Sequence, residues 1–197
     1  MSDLPVAAYF NELHRLCHRA EVTERGGATL ELSAALEAVI DRFRRATAAG
    51  RQLIFIGNGG SAAIASHMAI DYLRNGGLRA VAFNDAAALT CVANDFGYEQ
   101  VFAKQIEWRA SAGDVLVAIS SSGKSANILN AVAAARTAGC EVITLSGFNA
   151  ANPLRGLGDV NLYVASEQYG FVELAHLTLC HTILDLHCGW RSEAKAN

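Results

Sequence analysis

Five short runs of the chain are apolar at nearly every position: QLIFIG (52–57), LRAVAF (78–83), DVLVAIS (114–120), CEVITLS (140–146) and DVNLYVA (159–165). A strand with one wet face alternates apolar and polar residues, so unbroken runs predict strands buried on both faces. Between them the apolar positions recur at helical spacing, over 61–73, 86–110 and 125–138, and a last helix is expected from about Gly170 to Cys188. Strands alternating with helices predict an α/β fold. We expect one five-stranded parallel sheet flanked by helices, a flavodoxin-like three-layer arrangement.

Two helical patterns precede the first strand. Residues 4–22 place Leu4, Ala7, Ala8, Phe10, Leu13, Leu16 and Cys17 on one face. A second stretch after RGGATLE runs to about Ala49 with Leu30, Leu32, Leu36, Val39, Ile40 and Phe43. Gly50 is the expected stop. The expected organisation is an N-terminal helical extension (1–50), one α/β domain (51–190) and a short tail (191–197).

Bulk composition narrows the class. Of the 197 residues 52% are hydrophobic and 18% charged, which suits a buried sheet and excludes a disordered chain. A net charge of −3 provides no basic field, so nucleic acid and anionic membrane are not expected partners. Five scattered cysteines without a CxxC pair read as buried thiols in a reducing compartment. With no apolar run of membrane-spanning length and no signal-peptide pattern at the N-terminus, a cytoplasmic protein is expected.

In a parallel sheet the loops after the strands gather at the carboxyl edge, where ligands bind. Two of these loops carry anion-binding chemistry. Gly57-Asn58-Gly59-Gly60-Ser61 lets backbone approach a ligand and opens a helix. Ser120-Ser121-Ser122-Gly123-Lys124-Ser125 offers four hydroxyls and the N–H groups of another helix start. The first lacks the GxGxxG spacing of a dinucleotide loop, and the second resembles the end of a P-loop without its upstream glycine. A compact phosphomonoester therefore fits better than a nucleotide.

His67 and Asp71 stand four apart on the helix leaving the first loop, and Glu173 and His181 eight apart on the last helix. Two imidazoles and two carboxylates at these spacings suit zinc or a similar divalent ion, though an i,i+4 surface pair has the same spacing. His176 lies roughly 140° around the helix from His181; it is expected to contact a neighbouring subunit or the substrate. His14 and His18 are expected in solvent, and His187 has no assigned partner.

Taken together, GNGGS followed by His67, VANDFGYE (92–99), GDVLVAISSSGKSAN (113–127) and a final helix with an acid eight residues before a histidine resemble the sugar isomerase (SIS) fold. The resemblance is to the phosphoheptose isomerases, and it runs from about Gly57 to His181. It implies aldose–ketose isomerisation of sedoheptulose 7-phosphate through a cis-enediol. It also implies a homotetramer with active sites at subunit interfaces, which the N-terminal helices help to build.

Carried over by motif, Asn58, Gly59, Gly60 and Ser61 line the substrate, and Ser120, Ser121, Ser122 and Ser125 hold its phosphate. Asn94 and Asp95 contact sugar hydroxyls. His67, Asp71, Glu173 and His181 take the positions of the zinc ligands, with Asp71 as carbon base and His181 as acid–base group. Three departures bear on this. Asp71 stands where glutamate is usual, Glu173 replaces a glutamine, and Gly170 replaces an acid. A metal-bound carboxylate is a poorer base, which leaves His181 or Glu173 open as the proton carrier and Glu173 open as a substrate contact. Isomerisation of another long-chain sugar phosphate, for specialised or surface-glycan biosynthesis, and a non-catalytic SIS-fold tetramer that binds a protein partner also remain open.

Overall fold

A computed structural model describes residues 5–191. Leu4 of the first expected helix and the expected tail beyond Arg191 lie outside the described residues. The elements in chain order are α1 (Val6–His18), β1 (Glu21–Glu24), β2 (Thr29–Leu30), α2 (Leu32–Ala48), β3 (Leu53–Gly57), α3 (Gly60–Arg74) and β4 (Ala80–Ala82). They continue with α4 (Ala86–Phe96), α5 (Ala103–Arg109), β5 (Val115–Ser120), α6 (Ala126–Thr137), β6 (Glu141–Gly147), β7 (Val160–Val164) and α7 (Tyr169–His187).

The sheet has the order β2-β1-β7-β6-β5-β3-β4. Its five parallel strands are the five apolar runs, and they are paired in the doubly wound order. Strand β3 lies between β4 and β5, so the chain reverses its direction of travel across the sheet there. The crevice at such a switch point, outside the carboxyl ends of the strands, is where this architecture binds ligands. The loops leaving β3 and β5 are the glycine and serine loops.

Alternation along each strand divides the core. Leu53, Phe55, Val115, Val117 and Ile119 face one layer with α1, α2, α3 and α7. Ile54, Ile56, Leu116 and Ala118 face the other, formed with α4, α5 and α6. All of these strand residues are buried, as unbroken apolar runs require.

The sheet has seven strands, not five. Strands β1 and β2 form an antiparallel hairpin across Gly26 and Gly27, and β1 pairs with β7. Gly27 takes φ +84, a conformation that glycine adopts without steric cost. The first helix accordingly ends at His18, and Leu30 belongs to a strand. The expected 86–110 helix is also broken. Gly97 at φ +90 ends α4, a 3₁₀ turn follows over Tyr98–Gln100, and α5 starts at Ala103.

Candidate active site

The glycine loop is fixed by close backbone approach. A Cβ on Gly57 would lie 2.5 Å from the Ser61 carbonyl, and Gly59 takes φ +54. The serine loop is fixed from below by Asn152, whose amide a Cβ on Gly123 would strike. That amide donates to the carbonyls of Asn149 (2.9 Å) and Gly147 (3.1 Å), and its oxygen accepts from the Arg155 N–H (3.1 Å). The two loops are tied together by a reciprocal amide pair. Asn58 Nδ2 donates to Asn127 Oδ1 and Asn127 Nδ2 to Asn58 Oδ1, both at 2.9 Å.

Between the loops lies a cavity of about 240 Å³, and nine of its ten lining residues are expected ones. They are Asn58, Gly59, Gly60, Ser61, Ser120, Ser121, Ser122, Ser125 and Glu173; the tenth is Tyr169. No lysine or arginine lines it. Helices α3, α6 and α7 start at this cavity without a side-chain cap, as do α1 and α5 away from it. Uncapped N–H groups at helix starts attract anions through hydrogen bonding and the helix dipole. The Ser121 hydroxyl is buried with no partner in the protein, so it is free to bond a ligand or a water in the pocket.

Helices α3 and α7 lie side by side and run the same way. At their first turns Gly60 meets the Glu173 carboxylate, which a Cβ on Gly60 would strike. Two turns on, ligand atoms of His67, Asp71 and His181 all lie within 4.8 Å of one another. His67 Nε2 is 3.5 Å from Asp71 Oδ2, and the two imidazole centroids are 5.3 Å apart. Between them, the buried Tyr72 hydroxyl donates to the Cys180 carbonyl at 2.8 Å, one residue from Asp71 and one from His181. Burial pushes that phenol well above its usual pKa, so it stays a donor.

Two imidazoles and a carboxylate, partly open to solvent, fit a divalent cation, and three protein ligands are the usual complement of a catalytic zinc site. Glu173 is not in this group. Its carboxylate lies at the upper turn, among the serines and glycines of the cavity.

Some placements differ from expectation. Asn94 and Asp95 sit exposed at the end of α4 and do not reach the cavity of their own chain. Instead, Asn94 Nδ2 donates to Asp95 Oδ1 at 2.8 Å. From the same motif Tyr98 touches a lining residue, its hydroxyl donating to Asn58 Oδ1 at 3.2 Å. His176 faces neither substrate nor solvent. It is fully buried, its Nε2–H donates to the Ser146 carbonyl at 3.0 Å, and burial pushes its pKa down to about 4. His187 does have partners, accepting from Arg44 Nε at 3.1 Å and donating to the Gly76 carbonyl at 2.9 Å. His14 and His18 are exposed. Tyr169 and Tyr72 were not candidates; an aromatic at a helix start facing an anion loop was the available signal for Tyr169.

Comparison with known proteins agrees with this geometry. The SIS domain family model matches residues 8–147. The phosphoheptose isomerase of Geotalea uraniireducens is 40% identical over 162 residues, covering 79% of this chain and 85% of that one. That of Citrifermentans bemidjiense is 37% identical with 79% and 84% coverage. The structure of the phosphoheptose isomerase from Neisseria gonorrhoeae superposes with a TM-score of 0.77 at 34% identity, covering 92% of this chain and 97% of that one. A fold with its switch-point cavity between the glycine and serine loops, and relatives aligned along most of its length, make this chain a member of the SIS-domain family of phosphoheptose isomerases.

Proposed function

We propose that this protein interconverts sedoheptulose 7-phosphate and a heptose 7-phosphate by moving a proton between C1 and C2 through a cis-enediol. The observation that carries this is the adjacency of two kinds of chemistry along α3 and α7. Serine hydroxyls and helix-start N–H groups, among them the Ser121 hydroxyl without a protein partner, supply donors for a phosphate in a cavity that also holds the Glu173 carboxylate, and a His–Asp–His cluster lies two turns below it.

The phosphate sits on Ser120, Ser121, Ser122 and Ser125, with Asn58 and the Gly59–Ser61 backbone along the sugar. Asp71 takes the carbon proton from C1 of the ketose and returns it to C2. His181 takes a proton from one oxygen and delivers it to the other, so that the carbonyl moves from C2 to C1. Glu173, inside the cavity and apart from the cluster, is a second candidate for the carbon proton. His67, Asp71 and His181 hold a divalent ion, which we take to be zinc. When bound, it supplies Lewis-acid polarisation of the reacting oxygens.

We further propose a cytoplasmic homotetramer with active sites at subunit interfaces. The exposed apolar side chains of Phe10, Ile70, Leu73 and Trp108 support burial in an assembly. Asn94 and Asp95, outside their own chain's cavity, would serve a partner's. All five cysteines are free, as suits a reducing compartment. Among the described residues no helix is long and apolar enough to cross a membrane. The test is direct: purified protein supplied with zinc and sedoheptulose 7-phosphate should form an aldoheptose phosphate detectable by NMR. Absence of conversion would overturn the substrate assignment.

A further inference from the structure

Phe148 is the one non-glycine residue with positive φ among the described residues, at φ +57. A side chain there costs energy that glycine avoids, and such strain persists only where surrounding contacts enforce it. Both of its peptide groups are held. Its N–H donates to the Ser166 carbonyl at 2.9 Å, and its carbonyl accepts the Tyr163 hydroxyl at 2.6 Å. The buried Tyr163 ring is in turn covered by the Arg155 guanidinium at 3.9 Å. Glycine would give the same turn without a ring; the Phe148 ring packs partly against the hydrophobic core and partly outward. That ring meets Tyr169 edge to face, with centroids 4.7 Å apart at 75°.

Tyr169 is the cavity's one aromatic lining residue, 62% exposed at the start of α7. Every other lining group is a serine, a glycine, Asn58 or Glu173. We infer that Tyr169 is a substrate-positioning residue, whose ring face packs on the C–H face of the bound phosphosugar's carbon chain, and that the Phe148 turn exists to hold that ring over the cavity. The inference rests on the phosphosugar reading above. It assigns the phosphate to the serines and recognition of the carbon chain to Tyr169.

The test is steady-state kinetics with sedoheptulose 7-phosphate, with inorganic phosphate as competitive inhibitor. Tyr169→Ala should raise KM about tenfold, as expected for losing one aromatic contact, with kcat nearly unchanged. Tyr169→Phe should restore the wild-type KM, because the ring and not the hydroxyl is needed. The phosphate inhibition constant should stay constant throughout. Phe148→Ala should raise KM, and Phe148→Ala combined with Tyr169→Ala should be no worse than Tyr169→Ala alone. Phe148→Gly should raise KM equally yet melt above Phe148→Ala, because it sheds the ring and the strain together. An unchanged KM in Tyr169→Ala, or an inhibition constant rising in step with KM, overturns the inference while leaving the isomerase assignment intact. Wild-type protein without turnover overturns the substrate reading and this inference with it.

Discussion

Helices α3 and α7 meet twice, and the two meetings are built from different materials. At the first turns, glycines and serines with an unsatisfied hydroxyl form a cavity without lysine or arginine. Two turns on, His67, Asp71 and His181 converge where water reaches them. Apart from the Glu173 carboxylate, the upper level presents hydroxyls and backbone N–H groups, dipoles of the kind that suit an anion. The lower level presents groups that exchange protons or bind a cation. In the function proposed above, this separation along two parallel helices would let one substrate be gripped at its phosphate end and transformed at the other. Glu173 belongs by sequence to the lower level and by position to the upper, so it is the residue that most sharpens the contrast.

The largest expected effect comes from the lower level. His181→Ala should lower kcat by roughly 10²–10⁴-fold, the range of a lost acid–base group, with KM changed far less. Equal losses in both levels' kinetic signatures, kcat and KM together, would mean the division is wrong.

His176 lies between the two levels on α7 but faces the core, and it sets a pH limit on the fold. Burial holds it neutral with a pKa of about 4 in the folded chain, while the unfolded chain has the ordinary value near 6.5. As pH falls through that window the unfolded chain takes up a proton that the folded chain does not. This contribution to stability is full well above pH 6.5 and declines toward pH 4, by at most roughly 3–4 kcal/mol. Urea midpoints at pH 7 and pH 5 should show the slope, and His176→Asn should remove much of it.

At the upper level, Ser121→Ala should raise KM about tenfold through one lost hydrogen bond to a charged phosphate, with kcat preserved. The same change removes a buried hydroxyl without a partner, so the free protein should melt no lower than wild type. A fall in melting temperature would show that the hydroxyl already has a structural partner. The smallest effect is expected at the link between the levels. Tyr72→Phe deletes the bond to the Cys180 carbonyl and should cost about 1 kcal/mol of stability, read by denaturant titration.

Much of this was legible in the sequence because the signals are local. Unbroken apolar runs gave both-sided strands, and the order of strands and loops brought Gly57–Ser61 and Ser120–Ser125 to one crevice. The i,i+4 spacing put His67 and Asp71 on one face. What escaped depends on contacts far apart in the chain. Strands β1 and β2 are two to four residues long, with Val22 alone buried, so their existence rests on pairing with β7 rather than on any pattern of their own. Gly97 could have been read as the break in the 86–110 helix, yet the apolar spacing continues across it. The eight-residue interval between Glu173 and His181 gave a shared face but not a shared level, because which carboxylate reaches the imidazoles depends on the packing of α7 against Gly60. By angle alone His176 is expected at a neighbouring subunit or the substrate; the packing of α7 against β6 places it in the core. Tyr169 was passed over because its role depends on Phe148, twenty-one residues earlier.

In the proposed function the His67–Asp71–His181 cluster holds a metal required for isomerisation of a phosphosugar gripped by the serine loop. This is tested most directly by measuring metal content and sedoheptulose 7-phosphate turnover on the same sample before chelation, after chelation and after re-addition of zinc. The expected result is one divalent ion per chain, loss of turnover with the metal and recovery with its return. Turnover that persists in fully metal-free protein would contradict it.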